Sequence, residues 1–318
     1  MRAMSKLSKL ALFGALFAVL PSASAQDIPT LLQRALNRAA SLRYSGERTI
    51  SFRRDGKPFD TREIVFRDGN RVRIEYPEGS KQAGQIIVEV GEKRRHFTPG
   101  KNEIRLLPAR REESLERLRR FIKMLKSRGG SISESSGERI AGIPTGQIVF
   151  RDQSGNVMQR LYIDPKSGAV LKRNLYDPGG APVGSMVFTR IEYGRKVSAA
   201  LFRLDRKGAR LVTPADELKE LMAKGGFADV RLPKLELEFV RILSTADSPT
   251  LLQVYAIKGE RVSLFQTKGE LDPSSLRKQR GPDLKTRAWS EGGRNFALIG
   301  ALNDKTMDEL VAILRDVP

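Results

Sequence analysis

The sequence predicts an α+β protein: a curved antiparallel sheet forming an incomplete barrel around helices, followed by a smaller α+β unit. Three observations predict it. Hydropathy alternates with a period of two in segment after segment from Glu47 to Tyr193, and again from Leu235 to Leu302. The segments are joined by short turns rich in Asp, Gly and Pro, which suit antiparallel hairpins. A few stretches with apolar residues three and four apart interrupt them, as amphipathic helices do.

Taken in order, Arg2, Lys6 and Lys9 precede the apolar run Leu10 to Leu20, and Ala23-Ser24-Ala25 gives the small-x-small pattern that a signal peptidase reads. Residues 1–25 are therefore expected to be a cleavable export signal, with the mature chain starting at Gln26. The run is shorter than the roughly twenty residues that span a bilayer. No cysteine follows it, so a periplasmic location without a lipid anchor is expected.

Asp27-Ile28-Pro29 can open a helix, and Leu31, Leu32, Ala35, Leu36, Ala39 and Leu42 give that helix one apolar stripe. Strands are predicted at 47–52, 61–66 and 71–76, with turns at Arg54-Asp55-Gly56 and Asp68-Gly69-Asn70. In the third, Val72, Ile74 and Tyr76 point to an apolar face, and Arg71, Arg73 and Glu75 to a face that is wet or electrostatic. Strands 85–90 and 94–98 flank Gly91, and Ile104 to Pro108 precedes a helix from about Glu112 to Lys126, stopped at Gly129-Gly130. Further strands at 146–151, 158–163, 169–176 and 183–193 bring the first unit to about nine. The expected division is 26–194 for the first domain, 195–212 for a linker rich in Lys and Arg, and 213–318 for the smaller second domain. Thr213-Pro214-Ala215-Asp216-Glu217 opens the second domain's first helix. Five strands (235–243, 251–257, 262–267, 286–290 and 294–302) and a helix at 305–315 complete it.

Composition narrows the chemistry. With no cysteine, disulfides, thiolate metal sites and a cysteine nucleophile are excluded. The lone histidine, His96, stands beside Lys93, Arg94 and Arg95 and reads as a strand residue. No nucleophile elbow, phosphate loop or dinucleotide fingerprint is present, and no carboxylate pair is singled out by spacing. The expected class is a non-enzymatic binding protein without cofactor or metal. The formal charge of +20 becomes +17 once the three leader cations are set aside, and favours anionic partners. Export argues against nucleic acid, which leaves lipid headgroups, peripheral membrane contact or an acidic protein segment.

The middle helix carries an apolar stripe through Leu118, Phe121, Ile122 and Leu125. These four, with Leu106 and Leu107 just before the helix, are the candidate lining of a ligand cavity. Arg110, Arg111, Arg119, Arg120 and Lys123 around the stripe are the candidate surface for an anionic partner.

The helix–meander–helix–meander order of residues 28–193 resembles the periplasmic lipoprotein-carrier fold of LolA and LolB. Leu161-Tyr162-Ile163-Asp164-Pro165-Lys166-Ser167-Gly168, Leu175-Tyr176-Asp177-Pro178-Gly179-Gly180 and Phe188-Thr189-Arg190-Ile191 are similar to the first domain of the RseB/MucB sigma-E regulators. Trp289 to Gly300, with the terminal helix, resembles their second domain, which plain LolA carriers lack. The resemblance implies a negative regulator of an envelope-stress sigma factor. Such a protein binds the periplasmic part of a membrane anti-sigma factor, and a lipid or acylated lipoprotein in the cavity releases it. The alternative is a lipoprotein or lipid carrier of the LolA type.

Overall fold

The computed structural model of the chain describes residues 28–54, 57–109, 111–194, 197–244, 248–257, 260–272 and 284–315. The leader, Asp27 and the turn residues Asp55 and Gly56 lie outside them. Helix α1 (Thr30–Arg38) starts directly after Pro29 and buries Leu31, Leu32, Ala35 and Leu36, as its spacing requires. Six strands follow: β1 (Arg43–Arg54), β2 (Lys57–Asp68), β3 (Arg71–Glu75), β4 (Ile86–Val90), β5 (Lys93–Thr98) and β6 (Glu103–Pro108). After α2 (Arg111–Ser127) come β7 (Ser131–Ile140), β8 (Ile143–Arg151), β9 (Val157–Ile163), β10 (Val170–Tyr176), β11 (Pro182–Tyr193) and the short β12 (Arg210–Val212).

These twelve strands make one open sheet, ordered β12-β6-β5-β4-β3-β2-β1-β11-β10-β9-β8-β7. Two local meanders are joined where β1 pairs antiparallel with β11, from Tyr44 opposite Tyr193 to Phe52 opposite Gly184. The sheet curves without closing into a barrel, as the sequence predicts. Beyond the nine strands expected, the run Ile104 to Pro108 before the middle helix is itself a strand, β6, and two more went unread altogether, β7 and β12. The former is an edge strand with mostly exposed polar residues and so shows no apolar alternation. The latter is three residues long and pairs in parallel with β6.

Period-two alternation gives the sheet two faces. On the concave face, α1 and α2 bury Ile148, Phe150, Leu161 and Ile163 in one core, and Leu42, Tyr44, Val65 and Phe188 form a second. Of the two alternatives for the convex face of β3–β6, wet or electrostatic, the second holds: Arg71 pairs with Asp68 and Arg73 with Glu75, and the face is covered. Residues 197–205 cross it, with Phe202 and Leu204 buried against Ile86, Val88, Phe97 and Ile104. Arginines hold this crossing segment down: the Arg71 guanidinium lies 5.0 Å from the Phe202 ring centroid, and Arg73 Nη1 donates to the Leu201 carbonyl at 2.9 Å.

The second unit begins at α3 (Pro214–Gly225), where Thr213 and Asp216 cap each other's backbone amides in a reciprocal box. Its sheet has β13 (Glu236–Ser244), β14 (Pro249–Ile257), β15 (Glu260–Thr267), β16 (Lys285–Glu291) and β17 (Arg294–Gly300), ordered β13-β14-β15-β17-β16. On one face Leu218 of α3 packs on Val240 and Leu251. On the other end of that face, Met307, Leu310 and Leu314 of α4 (Asp304–Arg315) pack on Leu264, Phe296 and Leu298.

The two units meet through ions. Arg105 Nη1 on β6 binds Glu217 Oε1 of α3 at 2.8 Å, and Arg210 Nη2 bridges Glu103 Oε1 at 2.5 Å and Glu220 Oε1 at 2.9 Å. Burial pushes the Glu217 carboxyl above its ordinary value, against the opposing pull of Arg105. The hydrogen bond from Arg210 holds Glu103 below it. Arg105→Ala should therefore destabilise the chain by about 1–2 kcal/mol at neutral pH in denaturant unfolding, since Glu217 loses its charged hydrogen-bond donor. The folded pKa of Glu217 is raised, and rises further without Arg105, so the deficit should narrow as pH falls toward 4.5 and be largely gone below it. An equal deficit at all pH values would rule out the Glu217 pair as its source.

Candidate functional site

Alternation along β1 brings Tyr44 and Arg48 to the concave face, and the register sets them opposite Arg67 and Glu63 of β2. On the other side, Arg48 pairs with Phe188 of β11, one residue past a bulge at Glu47. The bulge region needs Gly46, because a Cβ there would meet the Arg190 carbonyl oxygen at 2.6 Å and the Phe188 ring at 3.0 Å. Phe188 is thereby drawn in beside Tyr44, the two rings edge to face with centroids 5.6 Å apart.

Helix α1 roofs this part of the face without filling the space beneath it. A cavity of about 200 Å³ remains. Leu32, Ala35 and Leu36 form its roof, while Leu161, Val170, Met186 and Phe188 form its floor, and Leu118 of α2 closes one side. Arg48 and Arg67 are its charged members.

Polar ties hold the roof in place. Arg38 Nη1 donates to the Lys166 carbonyl at 2.6 Å, Arg34 donates to the Pro165 carbonyl, and Arg67 donates to the Ala39 carbonyl just beyond α1. The turn receiving the first two is built by Asp164, whose carboxylate accepts from the Lys166 amide at 2.9 Å and the Ser167 hydroxyl at 2.6 Å. Gly168 completes it at φ +78°, where a Cβ would lie 3.1 Å from the Arg34 carbonyl oxygen. The Asp164-Pro165-Lys166-Ser167-Gly168 run, conspicuous in the sequence as a hairpin turn, thus also seats α1.

At the charged end, Arg48 Nε and Nη2 both donate to Glu63 Oε2, at 2.7 and 2.6 Å. The Tyr76 hydroxyl donates to Glu63 Oε1 at 3.1 Å. Glu63 is buried, so its charge is tolerated because both oxygens are engaged. Burial and then the Glu63 charge push the Tyr76 phenol up to about 12. The Arg48 guanidinium also faces the Phe188 ring at 5.9 Å. The site is an apolar slot with a fixed, neutralised arginine–carboxylate pair at one end.

Of the residues singled out in the sequence, Leu118 lines this cavity. Phe121 is half-buried with its ring 5.5 Å from Phe150, and Ile122 and Leu125 are closed into the core beside α1. Leu106 and Leu107 lie elsewhere, on β6 opposite Arg95 and Arg94, five strands away from β1. Arg119, Arg120 and Lys123 are exposed on α2; the Arg111 side chain and all of Arg110 lie outside the described residues. The α1 stripe and the Tyr44, Arg48, Met186 and Phe188 lining were not assigned to a cavity from sequence, although their alternation was there to read. His96 is half-buried and its Nε2 is 2.9 Å from Gln85 Oε1. Among the described residues, no three His, Asp or Glu gather into a metal-binding group, and no helix is long and apolar enough to cross a membrane.

No family model and no curated protein matches the chain. Solved structures do. The MucA/MucB complex of Pseudomonas aeruginosa aligns at 15% identity and a TM-score of 0.42, covering 88% of this chain and 95% of that one. A crystal structure of MucB aligns at 17% identity and 0.42, covering 92% and 98%. A LolA superfamily protein of Nitrosomonas europaea aligns at 12% and 0.28, covering 55% and 96%.

The network predicts how the tyrosines titrate. Burial raises Tyr193 as well as Tyr76, and takes Tyr255 to about 12. A raised folded pKa contributes stability that is whole below pH 10 and is lost as pH climbs through the folded value. In an ultraviolet titration these three of the six tyrosines should stay un-ionised past pH 10 and ionise as the fold gives way. Tyr76→Phe should remove one phenol from that late phase. Ionisation of all six near pH 10 in a chain that remains folded would contradict the burial described.

Proposed function

We propose that this chain is a non-enzymatic periplasmic binding protein that takes an acyl segment of a lipid or lipoprotein into the cavity beneath α1. Its second ligand is the periplasmic segment of a membrane anti-sigma factor, so that the chain acts as a negative regulator of an envelope-stress sigma factor. The cavity carries this reading: its apolar walls suit hydrocarbon, and the arginine at one end, Arg48, is already neutralised by Glu63, so an uncharged acyl segment fits it. At about 200 Å³ it is smaller than the roughly 300–1,000 Å³ of sites that enclose a whole small ligand, so it holds part of one acyl chain. The resemblance of 161–191 and 289–300 to the RseB/MucB regulators supplies the partner class. Exposed Arg119, Arg120 and Lys123 offer that partner cations. Acyl binding shifts the hold on the partner only by its differential affinity for the two states.

A second reading, a carrier of the LolA type, has one observation in its favour. Every residue lining the cavity precedes position 189, so the second unit takes no part in it.

Binding of a fluorescent fatty acid to the purified chain tests the cavity. Ala35→Phe places a ring in the slot from the roof and should weaken binding by about tenfold or more, equivalent to about 1.4 kcal/mol. Leu118→Trp does the same from the side wall, should the first variant fail to fold. Undiminished binding in folded variants would place the ligand elsewhere. Capture of an anti-sigma periplasmic segment by the empty chain, weakened by fatty acid, separates regulator from carrier; a carrier captures none.

A further inference from the structure

The concave face does not end at the cavity. Alternation carries it outward along β1 from Arg48 through Ile50 to Phe52, and along β2 from Glu63 through Thr61 to Phe59. The register sets Phe52 directly opposite Phe59, near the turn end of the hairpin, and their ring centroids are 4.7 Å apart. Phe52 is 38% exposed, and so is Val183, next to the Gly184 that pairs with Phe52. Single exposed apolar residues are ordinary on a protein surface. Here the exposed Phe52 and the half-buried Phe59 share the concave face at one end of the sheet, while Val183, one position before Gly184, is turned to the opposite face.

The charges beside them are unequal. Lys81 Nζ lies 4.7 Å from the Phe59 ring centroid, and Arg53 and Lys57 are exposed on the two strands. Arg62 is exposed a little further along β2. The described acids nearby are Asp60 and Glu78, both exposed. Apolar side chains with a cationic rim complement a surface that is hydrocarbon within and phosphate at its boundary. The two phenyl rings pack on each other, which engages their faces and turns edges outward, an arrangement suited to acyl chains rather than to stacking on bases.

We infer that this end of the β1–β2 hairpin docks on an anionic phospholipid membrane. Phe52 and Phe59 enter the boundary between headgroups and acyl chains, and Lys57 and Lys81 reach headgroup phosphates. The chain's overall charge of +20 draws it to such a surface. Docking does not depend on an occupied cavity.

Flotation of the purified chain with vesicles tests this. Vesicles of phosphatidylcholine with about one-third phosphatidylglycerol should carry the chain upward, pure phosphatidylcholine vesicles should not, and salt should weaken the association. Phe52→Ser with Phe59→Ser should lower partitioning by about tenfold, and Lys57→Glu with Lys81→Glu should do so independently, in case the first pair fails to fold. Phe52→Trp should give an emission that shifts to the blue on the anionic vesicles, while the buried Trp289 stays constant. The cavity-filled Ala35→Phe variant should float like the parent, which separates this surface from the cavity. Equal partitioning to both vesicles, unchanged flotation of both double variants, or preference for duplex DNA or an acidic peptide over the vesicles would overturn the assignment.

Discussion

A sheet of twelve strands that does not close has two broad faces to bury, and this chain has little helix to bury them with. Almost everything else follows from how that is managed. The concave face receives α1 and α2, and the nine residues of α1 are too few to cover β1 and β9–β11 completely. The apolar alternation of the strands continues beyond the helix in both directions. Inward, the uncovered surface becomes the cavity; outward, it emerges as the aromatic pair at the hairpin end. Cavity and exposed rings are thus two results of one mismatch between sheet and roof.

Arginine compensates for the missing helix. Arg34, Arg38 and Arg67 fix α1 by donating to backbone carbonyls, and Arg71 and Arg73 fix the segment crossing the convex face. Guanidinium suits this work because it is planar, offers several donors in fixed directions and tolerates an aromatic face. Part of the chain's positive charge is therefore structural. The cations left for an outside partner are a subset, with Arg119, Arg120 and Lys123 of α2 and Arg53 and Lys57 of the β1–β2 hairpin among them.

The antiparallel hairpins were legible because their strands alternate and their turns carry Gly with Asp or Asn, as at Asp68-Gly69-Asn70. What escaped lacked a local signal. Strand β7 is polar and mostly exposed between Ile132 and Ile140, so no alternation shows, and β12 is held by β6 from more than a hundred positions away. The convex face read as wet or electrostatic because Arg71 and Arg73 are charged; the segment that covers it gave no local signal, since Phe202 meets Arg71 from more than a hundred positions away. Within the site, Leu118 was readable from helical spacing. Leu106 and Leu107 were joined to it by closeness in sequence, which the sheet does not respect: β6 lies five strands from β1. The Arg48–Glu63 pair is fifteen residues apart and meets only through strand register.

The junction of β1 with β11 has a further consequence for how the chain assembles. Every other antiparallel pair in the large sheet joins neighbours along the chain, so each needs only a short loop to close. Tyr44 and Tyr193 must instead find each other across almost the whole first unit, an entropic cost that grows slowly with length but is met late. Until residues 182–193 arrive, one edge of a twelve-residue strand stands with its amides and carbonyls unpaired. A chain that emerges from its amino end therefore carries, for as long as the rest of the first unit is being made, an open template for pairing with the wrong strand or another molecule.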